Sequence, residues 1–167
     1  MGWPGQVGIA IIASMNRPLP LPAIILGISG LIPFFAMGYL ALGTQAERAG
    51  IGLVAYGAVI LSFLGAVHWG FALSAPDSRG QTARLGMGVL PSLVGWVAVL
   101  FTIPLHIDAA LGLLIAGFVA LTVMEVRARA AGLMPAGYMR LRYVLTAGVV
   151  FTLLAVFTLR LINAQIN

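Results

Sequence analysis

The sequence predicts an all-α polytopic membrane bundle of five transmembrane helices, and three observations predict it. Hydrophobic residues make up 61% of the 167 positions and charged residues only 8%, against about 25% charged in a soluble domain. Apolar stretches recur five times, each near the roughly 20 residues that cross a hydrocarbon core at 1.5 Å rise per residue. The chain holds 21 glycines, a burden for soluble helices but ordinary where membrane helices approach closely. The length fits a single domain, with no room for a second core beside the bundle.

Residues 1–18 read as an N-terminal tail. The apolar stretch from Val7 to Ile12 is short and follows no basic residue, so it lacks the pattern of a signal peptide. Met15, followed by Asn-Arg-Pro-Leu-Pro, is an alternative start. The transmembrane domain is predicted over 19–162, leaving 163–167 as a polar tail. Its first span covers 19–42 and contains Pro33, which removes a backbone donor and predicts a kink. The second covers 50–73, and the turn-rich stretch Ala75-Pro76-Asp77-Ser78-Arg79-Gly80 follows it. The third covers 83–103, with Pro91 near its middle as a second kink and Pro104 closing it. The fourth covers 106–126, and the fifth 141–162 after a basic connection.

The net charge of +5 comes from nine arginines and no lysine, and the arginines lie between the apolar runs. That placement is a topology signal and argues against a nucleic-acid face. Arg17, Arg79, Arg84, Arg127, Arg129, Arg140 and Arg142 fall on the side of Met1, and only Arg48 and Arg160 on the other. Under the positive-inside rule the N-terminus is cytoplasmic and the C-terminus on the opposite side. Without lysine there is no Schiff-base chemistry; without cysteine there are no disulfides, thiol catalysis or iron–sulfur ligation. Packing is expected through small residues at four-residue spacing: Ala58, Ser62, Ala66 and Gly70; Gly88 and Ser92; Gly112, Ala116 and Ala120.

His68 is the most informative residue. An ionisable group inside a span should face protein or a water-filled cavity. A neutral imidazole there can relay a proton, accept a hydrogen bond or ligate a metal, or it can simply tie two helices together. Glu125 and Arg142 come out at similar depth on the cytoplasmic side, so the three are expected to form a polar cluster. Each has a plainer reading. Glu125 can pair with Arg129 one turn later on its own helix, and Arg142 can be a topology anchor. Trp69 and Tyr56 are further ligand or proton-handling candidates; Tyr56 also suits an interhelical hydrogen bond.

No cofactor and no metal are expected. His106 starts the fourth span on the outer side, so it and His68 lie on the order of 20 Å apart and cannot share one haem iron. His68 with Glu125 alone is short of ligands for zinc. The chain has no His-Glu-x-x-His, phosphate loop, dinucleotide loop or serine elbow.

Three segments carry a resemblance. They are Gly30-Leu31-Ile32-Pro33-Phe34, the run from Tyr56 to Gly70 (Tyr-Gly-Ala-Val-Ile-Leu-Ser-Phe-Leu-Gly-Ala-Val-His-Trp-Gly), and Leu141-Arg142-Tyr143-Val144-Leu145-Thr146. Together they resemble the bacterial and mitochondrial membrane family of unknown function that includes the transmembrane protein 69 group, over about residues 19–162. Two positions depart from that family's pattern: Ala66 stands where a second glycine is common, and Gly137 precedes Tyr138 where a tryptophan-tyrosine pair is usual, which weakens an aromatic anchor there. The resemblance implies a membrane bundle and points to the His68 and Arg142 segments, but supplies no reaction. The expected protein is a multi-pass component of the bacterial cytoplasmic (inner) membrane with a ligand- or proton-handling polar site near the cytoplasmic side. The alternative is a structural or assembly factor for a membrane complex, and a membrane enzyme ranks behind both. Expected partners are membrane lipids and a membrane-protein partner, with no nucleic acid, in a monomer or small oligomer.

Overall fold

Every long apolar run becomes helix, because in hydrocarbon each backbone amide and carbonyl must be satisfied within its own segment. The structure, a computed structural model, describes residues 19–73, 81–130 and 136–166. They form helices α1 (Leu21–Ser29), α2 (Ile32–Leu40), α3 (Ala46–Leu73), α4 (Gln81–Phe101), α5 (Ile107–Ala130) and α6 (Ala136–Ile166). Helices α1 and α2 together make one apolar span, Leu21–Leu40, so five stretches are long and apolar enough to cross a membrane. The N-terminal tail lies outside the described residues.

The first span is broken rather than gently bent. Gly30 and Leu31 form a tight turn, with the Leu31 amide donating to the Ile28 carbonyl at 2.9 Å. Pro33 then occupies the first turn of α2, where its missing amide costs nothing. The Tyr56 hydroxyl donates to the Gly30 carbonyl at 2.9 Å, supplying a partner at the interruption. Pro91 behaves differently and stays inside the continuous helix α4. The connection from α4 to α5 is short because Leu105 adopts a left-handed backbone, φ 62°, and the His106 amide closes onto the Phe101 carbonyl at 2.9 Å.

Helix α3 sits at the centre, packed against α2, α4 and α5, while α6 packs on α5 and on the broken first span. Its buried face carries Leu53, Val54, Leu61 and Leu64 and meets Phe34 of α2 and Leu111, Leu114 and Phe118 of α5. Only some of the small residues expected to pack do so: Ala58 and Gly88 are buried. Ala66 and Gly70 are exposed, as are Ala116 and Ala120, and a Cβ on Gly70 would meet nothing. The close crossing uses Gly65 instead. A side chain there would run into the Gly88 carbonyl, and one on Gly88 would collide with Trp69 and the Gly65 carbonyl. Further along, a Cβ on Gly95 would lie 3.0 Å from the Ala58 carbonyl oxygen. Four-residue spacing identified residues able to pack, but the register against the neighbour chose an adjacent stripe.

Two boundaries differ from the sequence reading, and the second matters for the site. Helix α3 begins four residues earlier than the sequence suggested. Helix α6 begins at Ala136 instead of Leu141 and runs on to Ile166. The earlier start puts Tyr138, read above as part of a connection, one turn before Arg142 on the same helix face.

Candidate functional site

Two helices with opposite directions build the site. Helix α5 brings Glu125 near its C-terminal end, and α6 brings Tyr138, Arg142 and Thr146 at four-residue steps near its N-terminal end. Four residues make just over one helical turn, so these three stack along one face. That face meets α5. Helix α3 adds His68 from the third side, one turn beyond the Gly65–Gly88 crossing.

Glu125 is fully buried and Arg142 is 2% exposed. The Arg142 Nε donates to Glu125 Oε2 at 2.6 Å, and its Nη1 donates to Thr146 Oγ1 at 2.8 Å. Tyr138 donates its hydroxyl to the other carboxylate oxygen, Oε1, at 3.0 Å. Thr146 Oγ1 in turn lies 3.2 Å from Thr122 Oγ1, which donates or accepts across the α5–α6 seam. The phenol ring of Tyr138 packs edge-on against Phe71 of α3, with centroids 5.7 Å apart. His68, also buried, places Nε2 at 3.7 Å from Glu125 Oε1. That is beyond hydrogen-bonding range, and this nitrogen makes no hydrogen bond to the described residues. Arg142 Nη2 is likewise buried without one.

A carboxylate in hydrocarbon is tolerated only when its charge is matched and its lone pairs are used. Arg142 and Tyr138 do both for Glu125. The pairing of Glu125 with Arg129 that helix spacing suggested is therefore not what holds the carboxylate. Arg142 is buried in the bundle and does not anchor it at the lipid surface.

Of the five candidates from the sequence, the structure gathers His68, Glu125 and Arg142. The other two lie elsewhere. Trp69 is partly exposed and donates its indole N–H to the Leu85 carbonyl at 2.9 Å, tying α3 to α4. Tyr56 bonds the broken first span and packs edge-on against Phe34, with centroids 5.0 Å apart. Tyr138, Thr146 and Thr122 were missed. The four-residue spacing to Arg142 would have shown Tyr138, had the fifth span not been started too late; Thr146 lay within that span, and nothing in the spacing singled out Thr122. Tyr138 is anchored by Glu125, whatever residue precedes it. Among the described residues, no group of three or more histidine, aspartate or glutamate side chains is placed to hold a metal ion.

With this geometry in hand, comparison with known proteins supplies the family. A family profile described as a protein of unknown function, DUF3429, matches residues 19–158. The chain belongs to the DUF3429 family. The match covers the first four spans, most of the fifth and every residue of the cluster. This family member is similar to Transmembrane protein 69 of Xenopus tropicalis, 40% identical over 88 residues, which is 51% of this chain and 35% of that protein. It is also similar to Transmembrane protein 69 of Mus musculus, 36% identical over 86 residues, 50% of this chain and 35% of that one. The matched stretch thus spans about a third of the length of these curated relatives. No solved structure matches.

Proposed function

We propose that the cluster around Glu125 is a proton-handling site within the membrane, with His68 Nε2 as the atom that takes up and releases the proton. One observation carries the reading. A buried imidazole nitrogen faces a carboxylate oxygen at 3.7 Å without bonding to it, although buried polar atoms are almost always paired. A histidine serving only to tie helices together would be expected to use that nitrogen. A proton on Nε2 would draw the imidazole onto Oε1, and its release would return the present spacing. Arg142 and Tyr138 hold the carboxylate in place through both states, so the charge of the site changes by one at the imidazole alone.

The arginine bias puts this cluster toward the cytoplasmic face, and a bacterial cytoplasmic membrane is the expected location. Five helices bury their own polar groups, so a monomer suffices. Reporter fusions at the two termini test the orientation, and both ends on one side would sink it. The test of function is direct because the chain has only two histidines, His68 and His106. In ¹⁵N-histidine protein in lipid nanodiscs, the His68 signal should titrate, and Glu125→Gln should move its midpoint while leaving that of His106 in place. Proteoliposomes should show a proton flux that His68→Gln abolishes. A His68 fixed in one protonation state, or a flux indifferent to His68→Gln, defeats the proposal. A stoichiometric membrane-protein partner copurifying with flux-free wild-type protein would favour the assembly-factor reading instead.

A further inference from the structure

Arg142 also lines a cavity of about 110 Å³ that Glu125 does not line, between the broken first span, α3, α5 and α6. Its walls are apolar and partly aromatic, including the fully buried Phe34 and Phe118. Among the described residues, Arg142 is the one charged residue lining it. Along α6 the lining steps from Arg142 through Leu145 to Val149, seven residues or roughly 10 Å of helix. The cavity therefore runs parallel to the helices, from the polar end toward the middle of the bundle. Leu26 and Phe63, both strongly exposed, also line it, and in a membrane they face acyl chains. The space thus opens sideways to lipid.

Arginine carries five N–H donors. Nε and Nη1 are used on Glu125 and Thr146, while Nη2 makes no hydrogen bond to the described residues. The Arg142 charge is already balanced by Glu125, so a fully anionic head at this depth would bring an unmatched charge. A neutral oxygen acceptor would not. A slender apolar tail suits the narrow volume: a dry cavity of about 150 Å³ accepts a benzene ring, so this one takes a single alkyl chain segment.

We propose that this cavity binds one alkyl chain of a membrane amphiphile bearing a neutral oxygen head, with the head at Arg142 and the chain running toward Val149. This site is independent of proton handling at His68. The chemistry can come from a free long-chain alcohol or from an ester-linked acyl chain of a phospholipid. The test uses wild-type protein in nanodiscs with three photoactivatable diazirine probes: hexadecanol, hexadecanoate, and a phosphatidylcholine labelled in one chain. Crosslinks are mapped by mass spectrometry. Hexadecanol or phosphatidylcholine should label Phe34, Phe118 or Val149, and whichever does so identifies the source. Ile60→Trp, which fills the cavity away from the polar cluster, should abolish that labelling; Leu145→Phe serves if the first variant does not fold. Arg142→Lys should lower hexadecanol labelling about tenfold, the scale of one charge-assisted hydrogen bond, while a head-less hexadecane probe loses nothing. His68→Gln should leave labelling intact, so the two proposals fail separately. Labelling confined to outward residues such as Val59 and Val144, labelling indifferent to both filling variants, or hexadecanoate outcompeting the neutral probes overturns the proposal.

Discussion

Among the described residues, two arginine–carboxylate pairs have the same length and very different character. At one end Arg142 Nε meets Glu125 Oε2 at 2.6 Å; at the other Arg160 Nε meets Asp108 Oδ1, also at 2.6 Å. Both join α5 to α6, and 17 residues of α5 put the two pairs roughly 25 Å apart. The Asp108 side chain is 41% exposed and that of Arg160 22%, whereas Glu125 is fully buried and Arg142 nearly so. Asp108 also sits in the first turn of α5, where the helix N-terminus favours a negative charge. Glu125 lies near the opposite end and gains no such help. Bond length alone would rank the pairs as equals. Burial makes one an inexpensive clasp and the other a commitment, in which each charge depends on its partner and on Tyr138 and Thr146.

Removing one charge from each pair breaks that comparison most sharply. Glu125→Gln should cost about 3–5 kcal/mol by leaving the Arg142 charge buried and unmatched, read as lost thermal stability of the protein in nanodiscs. Adding Arg142→Met should recover most of the loss, because a buried pair replaced by apolar residues is often neutral. If the single and double variants are equally unstable, the Arg142 charge does not depend on Glu125. Tyr138→Phe comes next. It removes one hydrogen bond from Glu125 but keeps the ring against Phe71, and should cost about 0.6–1.5 kcal/mol; no change in melting temperature would show that the hydroxyl contributes nothing to holding the carboxylate. Asp108→Asn is the smallest, within about 1 kcal/mol as for other exposed pairs. Its effect should shrink further in high salt, while that of Glu125→Gln should not. Equal salt sensitivity at the two ends would erase the distinction.

The same contrast shows what could be read in the chain. Glu125 and Arg142 stood out because charges inside an apolar run are conspicuous, and the arginine bias put them and His68 at one depth. Tyr138 read only as a weakened aromatic anchor and Thr146 only as part of a family-like segment, since tyrosine near a helix end and threonine within one are ordinary in membrane proteins. Arg160 was legible as a boundary charge, but nothing in the spacing said that it would pair with Asp108, 52 residues away. Glycine was misread in a similar way: Gly70 and Gly65 are alike in composition, yet only Gly65 meets a neighbouring backbone.

Hydropathy by itself determined that this is a five-span helical membrane protein. Crossing hydrocarbon demands an unbroken apolar length and internally satisfied backbone, and both demands are local. The composition also settled which chemistries the chain lacks the side chains to perform. Tertiary structure decided which stripe of α3 packs, which arginine takes which carboxylate, and that His68 stops short of Glu125. These depend on how helices turn about their axes and slide past one another. A rotation of one residue position, 100° on an α-helix, carries a side chain from lipid into the core without altering the mean hydropathy of the span.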